Sequence, residues 1–473
     1  MQHFDLAVIG SGSGNSLIDR RFRDWDVALI DEHPEFGGTC LNRGCIPTKM
    51  FAFPADLASS AAHARRLGVD LELAGVDWPS VRDRVFGRVD PLMISGLAHR
   101  EQGSPHVTLF REHASFVDPH TLQVGDEQIT ADRIVLAAGS RAKTLDCPGM
   151  DDPTILAHVH TSDTIMRLPE LPKSLVIVRG GYIAAEFAHI FSAFGTQVTI
   201  VQRSDVLLRR VDREVGARFS ELMAKRVGIR KNQTVVALEP GDREGEIVVV
   251  TSDRNGVEYF YETECVLVAT GRVPNSDRLN LEAAGVWVTA SGAISVDPTQ
   301  VTTVPHIWAL GDVANDYHLK HVANHEMRTV HHNLLHPENP VRSDHRYVPC
   351  AIFSDPQIAM VGATEEQLIE WGTPYVKAVQ PYSSVAYGWA MEDEGHFIKL
   401  LSDPTSGHLL GAHIIGPEAS VLVQPLIQAM QFGLDVNKMA RGQFWIHPSL
   451  AEVVENALLG LVAQERRPEL GAS

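Results

Sequence analysis

No stretch of this 473-residue chain stays apolar for long. Runs such as Ile134 to Ala138 fall far short of the roughly 20 residues that a membrane-crossing helix needs. Cysteine is scarce, five residues in all, which excludes a secreted disulfide scaffold and makes any close pair a candidate for chemistry. Basic side chains are outnumbered, 41 lysines and arginines against 59 acids, for a net charge of -18. Nucleic acid and anionic membrane surfaces both attract a positive footprint, so neither is expected as a partner. There are no low-complexity tracts. What remains is ordinary globular composition, 44% hydrophobic and 21% charged, over a length that calls for two to four domains. Met1 leads straight into an alternating strand, Phe4 to Ile9, without a basic and apolar leader, so a cytoplasmic location and a small-molecule substrate are expected.

Residues 4 to 31 read as strand, Gly-rich turn, helix and second strand, Val27 to Ile30. A second βαβ unit comes after the linker Leu168-Pro169-Glu170-Leu171-Pro172: strand Leu175 to Val178, a Gly turn, helix Ile183 to Phe194, and strand Gln197 to Val201. Two short returning strands, Ile134 to Ser140 and Val266 to Arg272, each end in a small-residue turn. From about residue 343 the pattern becomes α+β, with strands Ala351 to Phe353, Phe397 to Leu401 and Leu409 to Ile415, and helices near Ser420 to Phe432 and Leu450 to Leu461.

Gly10-Ser11-Gly12-Ser13-Gly14-Asn15 succeeds a strand and opens a helix, so its amides can face a pyrophosphate at the positive end of the helix dipole. Asp31, closing the next strand, stands where an acid accepts hydrogen bonds from ribose hydroxyls. Asn15 occupies the third glycine position, where helix and strand approach closely, and Gly14 can relieve that crowding.

The stretch Gly37-Gly38-Thr39-Cys40-Leu41-Asn42-Arg43-Gly44-Cys45-Ile46-Pro47-Thr48-Lys49 contains the only close cysteine pair. Residues five apart in an ideal helix lie roughly 8 to 9 Å apart, too far for a disulfide, so the turn between Cys40 and Cys45 must be distorted. Gly44 gives that freedom and Pro47 suits the first turn of the helix that follows. A thiolate near a helix N-terminus has a lowered pKa and is primed to attack a disulfide.

Together with Ala269-Thr270-Gly271-Arg272, Gly311-Asp312 and the C-terminal His447-Pro448, these motifs resemble the class I pyridine nucleotide-disulfide oxidoreductases over nearly the whole chain. That group includes glutathione reductase, dihydrolipoamide dehydrogenase and mycothione reductase. The resemblance implies an α/β fold with two Rossmann-like nucleotide-binding domains and a C-terminal α+β dimerisation domain. It divides the chain into a first FAD-binding part (1–148), an NADPH-binding domain (149–272), a second FAD-binding or central part (273–342) and a dimerisation domain (343–473). It also implies a homodimer with a shared active site. Cys45 would face the flavin and Cys40 would exchange with substrate. Lys49 would lie beside the flavin, paired with Glu186. The FAD contacts implied are Gly10, Gly12, Gly14, Asn15, Asp31, Gly38, Thr39, Gly139, Gly271, Arg272 and Asp312, the last at the ribitol. His447, oriented by Glu452, would be the acid-base group acting on the other subunit's cysteines.

In the second nucleotide turn, Val178-Arg179-Gly180-Gly181-Tyr182-Ile183, arginine replaces the family's first glycine. Either Arg179 impairs NADPH binding, leaving an FAD-binding protein without reductase activity, or its guanidinium contacts phosphate. Gly181, Tyr182 and Ile183 would meet the nucleotide, with Tyr182 gating the nicotinamide pocket. Arg203 and Arg209 resemble the pair that holds a 2′-phosphate, which favours NADPH over NADH. His318, His321 and His325 recur at near-helical spacing, but no second ligand set accompanies them and no metal is expected.

The tail Gln464 to Ser473 has no cysteine, which sets aside thioredoxin reductase chemistry. Lys320 to His325, Asp344 to Pro349, Ala386 to Asp393 and Arg441 to Pro448 resemble the mycothione reductases, implying mycothione as the disulfide. The alternative is a dihydrolipoamide dehydrogenase-like enzyme running toward NAD.

Overall fold

A computed structural model describes residues 1–465, so most of the cysteine-free tail lies outside the described residues. The N-terminal sheet is parallel through Val107–Phe110, Val27–Ile30, Gln2–Ile9 and Glu127–Leu136, and is extended by the antiparallel strands Thr121–Val124 and Ala114–Phe116. The interior strand Val27–Ile30 is apolar and buried along its whole length, as a strand covered on both faces must be. The chain then leaves to build a second parallel sheet in the order Gly228–Lys231, Gln197–Gln202, Ser174–Val178, Cys265–Val268 and Val159–His160. It returns with Ile307–Ala309, which pairs in parallel with Glu127–Leu136 and completes the first sheet. A five-stranded antiparallel sheet, Cys350–Ile352, Ile358–Gly362, Leu409–Ile415, Phe397–Ser402 and Val376–Pro381, forms the C-terminal layer. The helix Ala451–Glu465 packs against it through Leu458 and Leu461.

Three sequence expectations need revision. The helix of the first βαβ unit is only Ser13–Leu17, succeeded by a 3-10 turn at Arg20–Phe22 that Asp19 caps by accepting from the Arg21 amide. Its free C-terminal carbonyls are taken up by Arg100, which donates to the carbonyls of Asn15 and Ile18 at 2.9 and 2.8 Å. The returning strands stop at Leu136 and Val268. Gly139 and Gly271, both at positive φ, turn the chain into a separate ribbon of Ser140–Ala142 against Arg272–Pro274. The expected helix at Ser420 to Phe432 is two, Ala419–Leu422 and Gln424–Phe432, with Pro425 in the first turn of the second.

One helix pair positions the site. Cys45–Ala64, which carries Cys45 and Lys49, packs on Tyr182–Ala193 from the second unit. The seam is an aromatic cluster in which Phe51 stacks on Trp78 at 5.3 Å and Trp78 meets Phe191 at 5.7 Å. Trp78 Nε1 is satisfied by the Leu168 carbonyl at 2.9 Å. Burying these rings fixes Cys45–Ala64 against Tyr182–Ala193.

Candidate active site

The cysteine stretch is two helices, Gly38–Asn42 and Cys45–Ala64, broken at Arg43 and Gly44. A side chain at Gly44 would crowd the Thr39 carbonyl at 3.0 Å, so the break keeps Thr39 and Gly44 close. Upstream, buried Asn42 clips the entering loop by donating to the carbonyls of Phe36 and Gly38 at 2.9 and 3.2 Å. Neither cysteine is in a disulfide here, and the two thiols are hydrogen-bonded to each other. The pair is asymmetric. The hydrogen bond from Cys40 and the nearby Lys49 ammonium bring Cys45 down to about 7, against the effect of burial. Cys40, as the donor and itself desolvated, is pushed up. The thiolate therefore resides on Cys45.

Lys49 Nζ is 2.7 Å from both Glu186 oxygens and 4.7 Å from the centroid of the Phe353 ring. Glu186, 10% exposed, also accepts from the Phe353 amide at 3.0 Å, so its orientation is fixed from two elements. Tyr182, at the head of the same helix, is 42% exposed.

At the first glycine turn, the residues fit a dinucleotide cradle. A Cβ at Gly10 would sit 2.2 Å from the Ala137 carbonyl oxygen, and one at Gly38 would sit 2.6 Å from Gly12 Cα, so backbone meets backbone with no room for side chains. The close helix-strand approach falls at Gly14, whose added Cβ would meet Ala137 Cβ and Val8 Cγ1 at 2.9 Å. Asn15 is thereby freed, and its Oδ1 accepts from Arg100 Nε at 2.6 Å. Asp31 already holds the Ser11 and His33 amides at 2.7 and 2.8 Å, so a ribose hydroxyl would use its remaining lone pairs.

Asp312 accepts from Ser140 Oγ at 2.7 Å, and Arg272 donates to the same hydroxyl at 2.7 Å. Gly139 lies in the adjoining turn, where its carbonyl accepts from the Asn275 amide at 3.0 Å. Sequence reading missed two supports. Lys320 Nζ reaches Ser13 Oγ at 2.8 Å, and Glu326, 1% exposed, accepts from the Gly311 amide at 2.7 Å and from Asn315. Glu326 directly follows the run Lys320 to His325 and is the one acid on the helix Lys320–Leu335, but its partner Gly311 lies 15 residues away, so nothing local announces the contact.

In the second unit Gly181 caps Tyr182–Ala193, with open space where its Cβ would be, and Ile183 lies in the first turn. Arg203 and Arg209 are exposed on the loop after Gln197–Gln202. Arg179 has φ 77. His447 Nδ1 is 2.7 Å from Glu452 Oε1, whose other oxygen accepts from the Ser449 amide at 3.2 Å. His447 lies on the C-terminal layer, 72% exposed, beside exposed Phe444 and Ile446. His318, His321 and His325 diverge. His321 bonds the Pro349 carbonyl and His325 accepts from the Asp344 amide, and no group of three metal-ligating side chains is found among the described residues.

A model of the pyridine nucleotide-disulphide oxidoreductases matches residues 4–332, and one of the dimerisation domain of that family matches residues 348–458. Mycothione reductase of Mycobacterium tuberculosis is 47% identical over 474 residues, covering 98% of this chain and 100% of that one. Dihydrolipoyl dehydrogenase of Halobacterium salinarum is 34% identical, covering 96% and 95%. Among solved structures, the HOCl-induced flavoprotein disulfide reductase RclA from Escherichia coli is similar with a TM-score of 0.82 at 27% identity, covering 96% of this chain and 99% of that one. No helix of the described residues is long and apolar enough to cross a membrane.

Proposed function

The chain belongs to the pyridine nucleotide-disulphide oxidoreductases, and from that premise we propose that it is an NADPH-dependent mycothione reductase working through FAD and the Cys40/Cys45 pair. The observation that carries the redox reading is the asymmetric pair, a Cys45 thiol held near 7 beside the Lys49–Glu186 ion pair. Mycothione as substrate is supported by 47% identity over nearly the full length to a mycothione reductase. NADPH rather than NADH is supported by Arg203 and Arg209, guanidiniums suited to a 2′-phosphate. A cytoplasmic location agrees with the scarcity of cysteine, five in 473 residues.

When bound, FAD relays two electrons from NADPH to the cysteine pair. The opened pair holds its negative charge on Cys45, where Lys49 stabilises it. His447 of the partner subunit takes the proton of the Cys40 thiol as the Cys40 sulfur attacks one sulfur of the substrate disulfide, forming a mixed disulfide, and returns that proton to the first thiol as it leaves. Cys45 sulfur then attacks Cys40 sulfur. This re-forms the intramolecular disulfide and releases the second thiol, which takes the second proton, so two electrons and two protons convert one disulfide to two thiols. Glu452 holds the ring of His447 through Nδ1, leaving Nε2 for proton transfer. The dimer is supported by the exposure of His447, Phe444 and Ile446, a reactive group in an apolar rim.

The absorbance spectra of the oxidised single-cysteine variants, recorded without NADPH, test the assignment. Cys40→Ser shows the long-wavelength absorbance of a thiolate beside the oxidised flavin, and Cys45→Ser lacks it. The reverse pattern would exchange the two roles.

A further inference from the structure

Position 179 opens the second nucleotide turn. The Arg179 amide donates to the Val201 carbonyl at 2.8 Å, as the Gly10 amide donates to Ile30 at 2.8 Å, so the two residues stand at the same point of the same turn. Gly10 cannot be replaced, because its Cβ would strike the Ala137 carbonyl, and there the neighbouring strand is held tightly, Ala137 amide to Ile9 carbonyl at 2.8 Å. In the second unit the corresponding bond, Ala269 amide to Val178 carbonyl, is 3.2 Å, and the looser turn admits a side chain. Arg179 nevertheless sits at φ 77, a region L-residues rarely enter, and backbone held there against its preference points to a task.

The same turn is strapped to the arginine-bearing loop. Leu208, also left-handed at φ 55, donates its amide to the Gly180 carbonyl at 2.8 Å, and the Gly180 amide donates to Gln202 Oε1 at 3.1 Å. Arg203 comes directly after Gln202, and burial together with the Arg203 charge lowers the pKa of the Arg179 guanidinium. In a chain of net charge -18, no described carboxylate forms an ion pair with Arg179, Arg203 or Arg209. Like charges gathered without a protein counterion are completed by an anionic ligand.

The geometry points to Arg179 as a phosphate-binding residue of the second nucleotide site, acting with Arg203 on a phosphate of the dinucleotide and setting affinity for it. This inference rests on the NADPH reading above.

Binding of NADP+, NAD+ and 2′,5′-ADP to the oxidised holoenzyme by calorimetry tests it, with Arg179→Met and Arg179→Gly compared with Arg203→Met/Arg209→Met and with flavin content as the folding check. Both Arg179 variants weaken NADP+ binding by about tenfold or more, as loss of a charge-assisted bond to phosphate requires, and flatten its dependence on salt. Loss confined to NADP+ and 2′,5′-ADP assigns the 2′-phosphate, and loss extending to NAD+ assigns the pyrophosphate; both uphold the proposal. Unchanged or tighter binding in either Arg179 variant overturns it. In that event the double variant judges the reading beneath. If it still loses its preference for NADP+ over NAD+, NADPH use stands without Arg179; if it does not, NADPH use falls as well.

Discussion

Replacing Lys399 with methionine removes the one cation at the centre of a cluster that joins the C-terminal sheet to the nucleotide-binding loop. Lys399 Nζ lies 2.9 Å from Asp212, 3.2 Å from Glu214 and 2.5 Å from Glu365, and both Lys399 and Asp212 are 0% exposed. After Lys399→Met only Lys377, 3.1 Å from Glu214 and 2.9 Å from Glu365, remains to neutralise three carboxylates. Leaving a buried charge without its partner costs about 3 to 5 kcal/mol. The loss falls on the segment proposed to hold the nucleotide phosphate, because Asp212 lies shortly after Arg209 and caps the helix Arg213–Met223 by accepting from the Glu214 amide at 3.1 Å. The expected result is a thermal midpoint lowered by roughly 3 to 5 °C, faster amide exchange over residues 203–223, and a raised KM for NADPH with kcat little changed. Adding Asp212→Asn removes the stranded charge and restores part of the stability. A Lys399→Met variant as stable as the parent would refute the reasoning, as would a double variant worse than the sum of its singles.

Three further outcomes are expected from the same geometry. Gly14→Ala pushes its Cβ to 2.9 Å from Val8 and Ala137, so the helix and strand that hold the dinucleotide must part, and the purified protein shows a reduced flavin-to-protein absorbance ratio. Glu452→Gln lowers steady-state turnover by about 10- to 100-fold, less than loss of a whole acid-base group, but leaves the rate of flavin reduction by NADPH unchanged; equal slowing of both would refute the orienting role. Glu365 is held at about 2, where hydrogen bonds from Lys399, Tyr375 and Lys377 outweigh burial, which acts in the opposite direction. Its carboxylate therefore contributes stability that is fully present above its ordinary value and is lost as pH falls from about 4.5 through 2. Urea unfolding over this range shows a fall of a few kcal/mol in the parent, and a shallower one in Glu365→Gln.

What was legible in the sequence is local. The glycine turns, the distorted turn between Cys40 and Cys45 and the spacing of His447 and Glu452 are each set by residues within a few positions of one another, and their geometry comes from backbone sterics. Gly14 was legible for the same reason, since only one residue beside Asn15 lacked a side chain. The rest depends on pairings across the chain. Arg100, far from the first glycine turn, shortens that helix by bonding its last carbonyls, and nothing near Asn15 announces it. Glu326 beneath Gly311 and Lys399 beneath Asp212 are ordinary charged residues in sequence, and burial alone gives them consequence. Strand ends were misplaced at Leu136 and Val268 because apolar character continues past them, while Gly139 and Gly271 redirect the backbone.

The central claim is that electrons pass from NADPH through Cys45 and Cys40 to mycothione. Turnover of the purified flavoprotein with mycothione, glutathione disulfide and dihydrolipoamide, each with the appropriate phosphorylated and unphosphorylated nucleotide, tests it most directly. The account predicts that NADPH with mycothione gives a kcat/KM well above every other combination and yields two thiols per NADPH. A preference for dihydrolipoamide with NAD, or bleaching of the flavin by dithionite but not by NADPH, would contradict it.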